Sequence, residues 1–247
     1  MDNITTASNG DHVAGTFPRL LPSFGWIALY FVLQGLFTGM LWASGMGRTD
    51  LSSNATLTSN PVVILWGLVG SAILQLVLMG LYLRKKERMA RIGLTHFGHL
   101  SLGRTIGLGA LLVVAAMVFN FLYATYIIPG IGMQEEMAKI LAAIPRTPIN
   151  LAAGFFAIAI AAPLVEELMF RGFLQTALAR HVPIWAAIML SSFAFSLVHL
   201  QPYAIPGLMS LSMAFGYLYH RTGSLRTNIL FHMANNALAL ILTQGMS

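Results

Sequence analysis

The chain has 247 residues, 57% of them hydrophobic and only 9% charged, and its mean hydropathy is +0.74. A soluble domain carries about 25% charged residues, so this chain cannot cover a globular surface in water, and a polytopic helical membrane protein is the direct reading. The formal charge of +6 sits mostly beside apolar spans and reads as a topology signal, not as affinity for nucleic acid, while the lack of any cysteine excludes disulfides, thiolate metal sites and a Cys nucleophile.

The expected fold is all-α, a transmembrane bundle of about seven spans (six to eight). Met1–Phe17 is polar, with Asp2 and Asp11 and no basic n-region, and reads as a short disordered tail, not a cleavable signal peptide. Residues 1–21 form this tail segment, 22–148 the N-terminal spans and their loops, and 149–247 the part that carries the chemistry. The first span is read at Pro22–Ser44, with Trp26 and Trp42 near its ends. A Ser/Thr/Asn-rich loop over Gly45–Asn60 contains Asn54-Ala55-Thr56, a short acceptor sequon that arises readily by chance. The second span, Pro61–Leu83, stops at Arg84-Lys85-Lys86-Glu87-Arg88, the strongest orientation signal in the chain, which places Arg84–Arg104 and the N-terminus in the cytoplasm. That run could also hold anionic lipid, but a topology anchor explains it sufficiently.

The third span is read at Thr105–Ile128. In the external connection that follows, Met133–Ile144 shows an apolar face and a Glu135–Lys139 pair at i,i+4, as expected of a helix lying at the interface. Glu135-Glu136 sits in polar surroundings. The fourth span starts near Ile149 and runs toward Arg180 and His181. Ile184–Leu200, Tyr203–Tyr219 and Thr227–Leu242 complete the set. With the N-terminus inside, most Lys and Arg, among them Arg171, fall on cytoplasmic segments, and only Arg48, Lys139 and Arg146 fall outside. No internal repeat supports an inverted-repeat transporter.

Of the eight acidic residues, only Glu166 and Glu167 lie inside a strongly apolar segment. A carboxylate at such depth needs a partner or a wet cavity, and ionisable residues there are functional by default. Glu167 and Arg171 are i,i+4 with the acid first, the favourable order for a pair. Glu166 points about 100° away and aligns poorly with Arg171. This division makes Glu167–Arg171 a supporting pair and Glu166 the working group. His199 ends the fifth span, with Phe195 one turn earlier on the same face. His232 and Asn236 are i,i+4 on the last span, where both can donate toward a developing oxyanion. Taken singly, His199 reads as a boundary histidine and His232/Asn236 as interhelical hydrogen bonding; the combination on three spans carries the argument. There is no G-x-S-x-G elbow and no H-E-x-x-H helix. Ser191, Ser192 and Ser196 lack a base–orienter arrangement, so attack by water is favoured. Two routes stay open: general-base catalysis by Glu166, or a divalent metal such as zinc bound by His199, His232 and Glu166.

Glu166-Glu167-x-x-x-Arg171, Phe195-x-x-x-His199 and His232-x-x-x-Asn236 resemble the three motifs of the CAAX-protease and bacteriocin-processing (CPBP, or Abi) membrane proteases. Thr222-Gly223-Ser224-Leu225, with Ile229, is similar to that family's approach to its third motif, although Arg226 stands where many members have an aromatic. The resemblance covers about Ile149–Leu242. It implies an α-helical intramembrane endopeptidase in which Glu166 and His199 activate a water and His232 and Asn236 stabilise the oxyanion, with Glu167, Arg171 and Phe195 in support. No cofactor is required by this route, and a divalent metal is the alternative. The implied partners are the bilayer and a protein or peptide substrate, membrane-anchored or prenylated, handled in CAAX-type or leader/bacteriocin-related processing at the cell membrane. The runner-up is a catalytically silent scaffold or immunity protein that acts by partner binding. One geometric conflict arises. His232 lies about 9 Å along its helix from Arg226, whereas Glu166 and His199 lie about 21 Å and 27 Å from Arg180 and His181. Straight helices ending at one surface would not meet there, so tilted or broken helices, or an end of the fourth span earlier than Arg180, are needed, and Pro163 and Gly172 permit a break.

Overall fold

The computed structural model describes residues 17–46, 60–131, 139–140 and 142–245, and every regular element among them is helical. The helices are α1 (Leu20–Ala43), α2 (Pro61–Leu83), the short α3 (Lys86–Arg91), α4 (Leu102–Ile127), α5 (Pro148–Leu178), α6 (Ile184–Leu197), α7 (Ile205–Thr222) and α8 (Leu225–Gly245). The fold is the all-α bundle expected. The tail before Phe17, most of the Gly45–Asn60 loop with its sequon, and most of the Met133–Ile144 segment with Glu135-Glu136 lie outside the described residues.

Local chemistry sets the helix starts. Pro61 occupies the first turn of α2, where its missing N–H is harmless, and Asn60 Oδ1 accepts from the Val62 and Val63 amides at 3.1 and 3.2 Å. Thr147 caps α5 in the same way ahead of Pro148. The helices α1, α2, α4 and α5 are long and apolar enough to cross a bilayer. Their outer faces leave Leu21, Leu81, Leu111 and Ile149 more than half exposed, which suits a lipid solvent and not water. The protein is an integral membrane protein. Helix α6 has only 14 residues, about 21 Å, and ends in a turn that carries the half-buried His199. Such irregular backbone at depth is tolerated where protein surrounds it.

Helix α5 has the bounds expected of the fourth span. It runs for 31 residues without interruption, about 46 Å against a hydrocarbon core of about 30 Å. Pro163 does not break it. Instead the register widens to π over Phe156–Ala161 and again over Leu168–Gln175. Arg171, counted as a cytoplasmic charge from the sequence, is buried to 1% in the core and therefore reports nothing about topology.

The α7–α8 corner lies beneath residues 93–99. Gly223 adopts φ +66° and its N–H closes α7 onto Tyr219 O at 2.8 Å, a left-handed helix stop. The Leu225 amide donates to Gly93 O, Ser224 Oγ to His96 O at 2.7 Å and Thr227 Oγ1 to Phe97 O at 2.8 Å. Arg226 places its guanidinium over the Phe97 ring at 5.5 Å. The strap of residues 93–99 thus covers Ser224 and Leu225 at the start of α8, while Arg221 and Arg226 stay exposed.

This corner gives a stability test. A Cβ on Gly223 would meet His99 Nε2 at 2.8 Å and demand a left-handed backbone that costs about 1–2 kcal/mol. Gly223→Ala should lower the apparent Tm in detergent by roughly 2–8 °C. Gly154→Ala on α5, where nothing lies within 4 Å, should leave it unchanged or slightly raised.

Candidate active site

Helices α5 and α8 run antiparallel, and their contacts form a ladder. Gly172 backs onto Leu225, Glu167 meets Asn228, Glu166 faces His232, and Ile158 meets Asn236. This ladder removes the depth conflict. The shared reference is the Gly172–Leu225 contact, from which Glu166 and His232 are each six or seven residues away, about 10 Å along the two axes. Arg180 lies two turns further along α5 and does not mark the level of the α8 start.

Glu167 is fully buried and held by three groups, two hydrogen-bond donors and the Arg171 charge, whose Nη1 pairs with it without a hydrogen bond. Arg171 Nη1 and His232 Nδ1 approach Oε1 at 2.9 and 2.8 Å, and Asn228 Nδ2 donates to Oε2. Arg171 is held in turn. Its Nη2 donates to the carbonyl and hydroxyl of Ser212 at 2.8 and 2.9 Å, and its guanidinium lies between the Phe195 and Phe215 rings, 5.1 and 5.7 Å from their centres. The Glu167–Arg171 pair expected from i,i+4 spacing is formed, but the carboxylate does more than pair with Arg171. It orders the imidazole of the third motif.

With Nδ1–H donated to Glu167, the other nitrogen of His232 is directed to Glu166, with Nε2 3.7 Å from Oε2. Glu166 is the less enclosed carboxylate, its side chain 18% exposed where Glu167 has none. The His232 ring stacks on Phe215 at 4.8 Å. Phe195 joins the second motif to the third: its ring centre is 4.7 Å from His199 and 6.4 Å, edge-on, from His232. His199 Nδ1 lies 2.7 Å from the Phe195 carbonyl. Donation there leaves Nε2 with its lone pair for the site. Glu166, His232 and Phe195–His199 are therefore neighbours, contributed by α5, α8 and α6.

Asn236 has a structural task as well. In the widened register of α5, the Ala162 N–H bonds to Ala157 O, five residues back. The next donor in that register would be residue 163, a proline without an N–H. The Ile158 carbonyl is left without a helical donor, and Asn236 Nδ2 donates to it at 3.1 Å. One amide hydrogen of Asn236 thus closes the break that Pro163 creates, and the second remains for the site. Asn235 donates to Asn236 Oδ1 at 3.2 Å, which orients that amide.

The metal set considered from the sequence, His199, His232 and Glu166, does not converge as a ligand group. Among the described residues no three His, Cys, Asp or Glu side chains are gathered around one point that could hold an ion. Ser191 and Ser196 turn their hydroxyls back onto carbonyls of their own helix. Sequence reasoning missed Asn228, Ser212 and Phe215. Asn228 was readable, since it stands one turn before His232 on the line that also holds Asn236. Ser212 and Phe215 lie on α7, and only tertiary packing brings them to Arg171.

Residues 148–238 match the family described as Rce1-like, type II CAAX prenyl endopeptidase. The match spans all three motifs and covers little more than a third of the chain, and it agrees with the resemblance to CPBP proteases. No curated protein and no solved structure matches the chain.

Removing the Arg171 charge should strand Glu167 in the core. Arg171→Met is expected to lose about 3–5 kcal/mol of stability, read as a collapse of the detergent-solubilised thermal transition. The double variant Glu167→Gln/Arg171→Met should recover part of the loss, because no unpaired charge is then buried.

Proposed function

We propose that this protein is an intramembrane endopeptidase that hydrolyses peptide bonds with water activated by Glu166 and His199, while His232 and Asn236 stabilise the oxyanion. The observation that carries this reading is the approach of Glu166 Oε2 to His232 Nε2, with His232 anchored through Nδ1 on Glu167. Two carboxylates that are adjacent in sequence thereby take different tasks. Glu167 is consumed by donors, and Glu166 keeps a partly open oxygen for a water molecule.

In the proposed reaction Glu166 accepts a proton from water as the oxygen attacks the scissile carbonyl carbon. The carbonyl oxygen gains the negative charge and takes hydrogen bonds from Nε2–H of His232 in its doubly protonated form, with Nδ1–H kept on Glu167, and from the second N–H of Asn236. Collapse of the tetrahedral adduct breaks the C–N bond, and the proton held by Glu166 passes to the leaving amine. His199 Nε2 accepts a hydrogen bond from the attacking water and orients it. The match to CAAX prenyl endopeptidases makes a membrane-anchored protein with a prenylated C-terminus the first substrate class to test.

Cleavage of a prenylated peptide by the purified protein should fall by about 10²–10⁴-fold in Glu166→Gln and in His199→Ala. Addition of a chelator should leave the wild-type rate unchanged. Undiminished turnover by folded Glu166→Gln would sink the mechanism, and loss of activity on chelation would redirect it to a metal.

The basic run from Arg84 supports a cell-membrane orientation with the N-terminus and the Arg84–Arg104 segment in the cytoplasm. The chain contains no cysteine, so a single introduced thiol reports cleanly. Lys86→Cys should resist an impermeant maleimide in intact cells and react after lysis. Labelling in intact cells would invert the topology.

A further inference from the structure

We propose that Asn228 is a positioning residue of the site: by holding Glu167 Oε2, it locks the carboxylate so that Oε1 fixes His232 as the Nδ1–H tautomer with Nε2 facing Glu166. The inference deepens the endopeptidase reading and rests on it for its kinetic consequence, but its geometric content stands apart from any activity.

The side chain of Asn228 is fully buried, one helical turn before His232 on α8, and both reach the same carboxylate. Its amide orientation follows from chemistry. Turned over, Oδ1 would face the Glu167 oxygen and two acceptors would meet, so the nitrogen must point to Glu167. That choice leaves Oδ1 buried with no hydrogen-bond partner. A buried amide with an orphaned carbonyl is a poor packing element, and an apolar side chain of similar size would avoid the penalty. What the asparagine supplies in return is the donor to Oε2.

That donor matters because the other two compete for one oxygen. Arg171 Nη1 and His232 Nδ1 both approach Oε1. With Oε2 unheld, the carboxylate can rotate about its terminal bond and give Arg171 one oxygen while His232 loses its acceptor. The imidazole is then free to move its proton to Nε2 and to turn within the stack on Phe215. With Oε2 held, rotation would break the Asn228 bond, and the imidazole stays in one tautomer. An outer partner that orients a working histidine is worth about 10–100-fold when removed.

The test uses full-length protein in detergent or nanodiscs with ¹⁵N-labelled histidine. At a pH where His232 is neutral, the wild type should show His232 protonated on Nδ1, assigned by its loss in His232→Gln. Asn228→Leu and Asn228→Ser should show mixed tautomers. Where the wild type cleaves a prenylated peptide, both variants should lose about 10–100-fold in kcat with little change in KM. The Ser variant serves if the Leu variant does not fold. A wild-type His232 that carries its proton on Nε2 overturns the proposal without recourse to any variant. So does a variant that keeps both the wild-type tautomer and the wild-type kcat. If the tautomer responds as stated but no peptide is cleaved by the wild type, the positioning role stands and the endopeptidase reading fails.

Discussion

The bundle depends on one buried carboxylate. Glu167 lies where an unpaired charge would cost several kcal/mol, and the protein surrounds it with a guanidinium, an imidazole and an amide. Those three groups come from two helices, and Arg171 extends the network to a third through Ser212 on α7. The rings of Phe195 and Phe215 then close over the guanidinium from α6 and α7. Satisfying a single acid therefore fixes the mutual placement of α5, α6, α7 and α8. Within a membrane, where apolar contact alone does little to choose one helix arrangement over another, such a network supplies register. The working group Glu166 inherits its position from its neighbour.

The same economy appears at Pro163. A proline inside a helix removes a donor, and here the surrounding π register decides which carbonyl is orphaned. The freed Ile158 oxygen becomes an attachment point for Asn236. The residue that the motif comparison casts as an oxyanion donor is thus held in place by a defect in the helix opposite. One of its two amide hydrogens is taken by the bond to Ile158 and a second is left over, which a hydroxyl with one hydrogen could not provide.

The sequence revealed these features unevenly. Spans such as Pro61–Leu83 were legible to the residue, because a cap, an N-terminal proline and a terminal basic run all bracket an apolar stretch. The Glu167–Arg171 pair was legible because both partners lie on one helix at fixed spacing. The link from Glu167 to His232 was not, since the two are 65 residues apart and nothing local encodes their contact. The apparent conflict between the levels of Glu166 and His232 arose for a specific reason. Charged residues were read as marks of the membrane surface, yet Arg171 lies in the core and the turn preceding Arg226 is covered by the strap at residues 93–99. The hydropathy rule assumes that charge seeks water, and it fails where charge finds a partner.

This difference bears on how the three motifs should be weighed. Each polar residue had an ordinary explanation when taken alone, as an ion pair, a boundary histidine or an interhelical hydrogen bond. The structure does not remove those explanations; His199, His232 and Asn236 all make such bonds. What those bonds share is that each ties down one end of a side chain and leaves the other end committed to nothing structural. Nε2 of His199, the second N–H of Asn236 and a partly exposed oxygen of Glu166 are the free ends, and Nε2 of His232 is turned toward Glu166. A network built only for stability has no need to hold several polar groups by one end each. A site that must present them to a water and a carbonyl does.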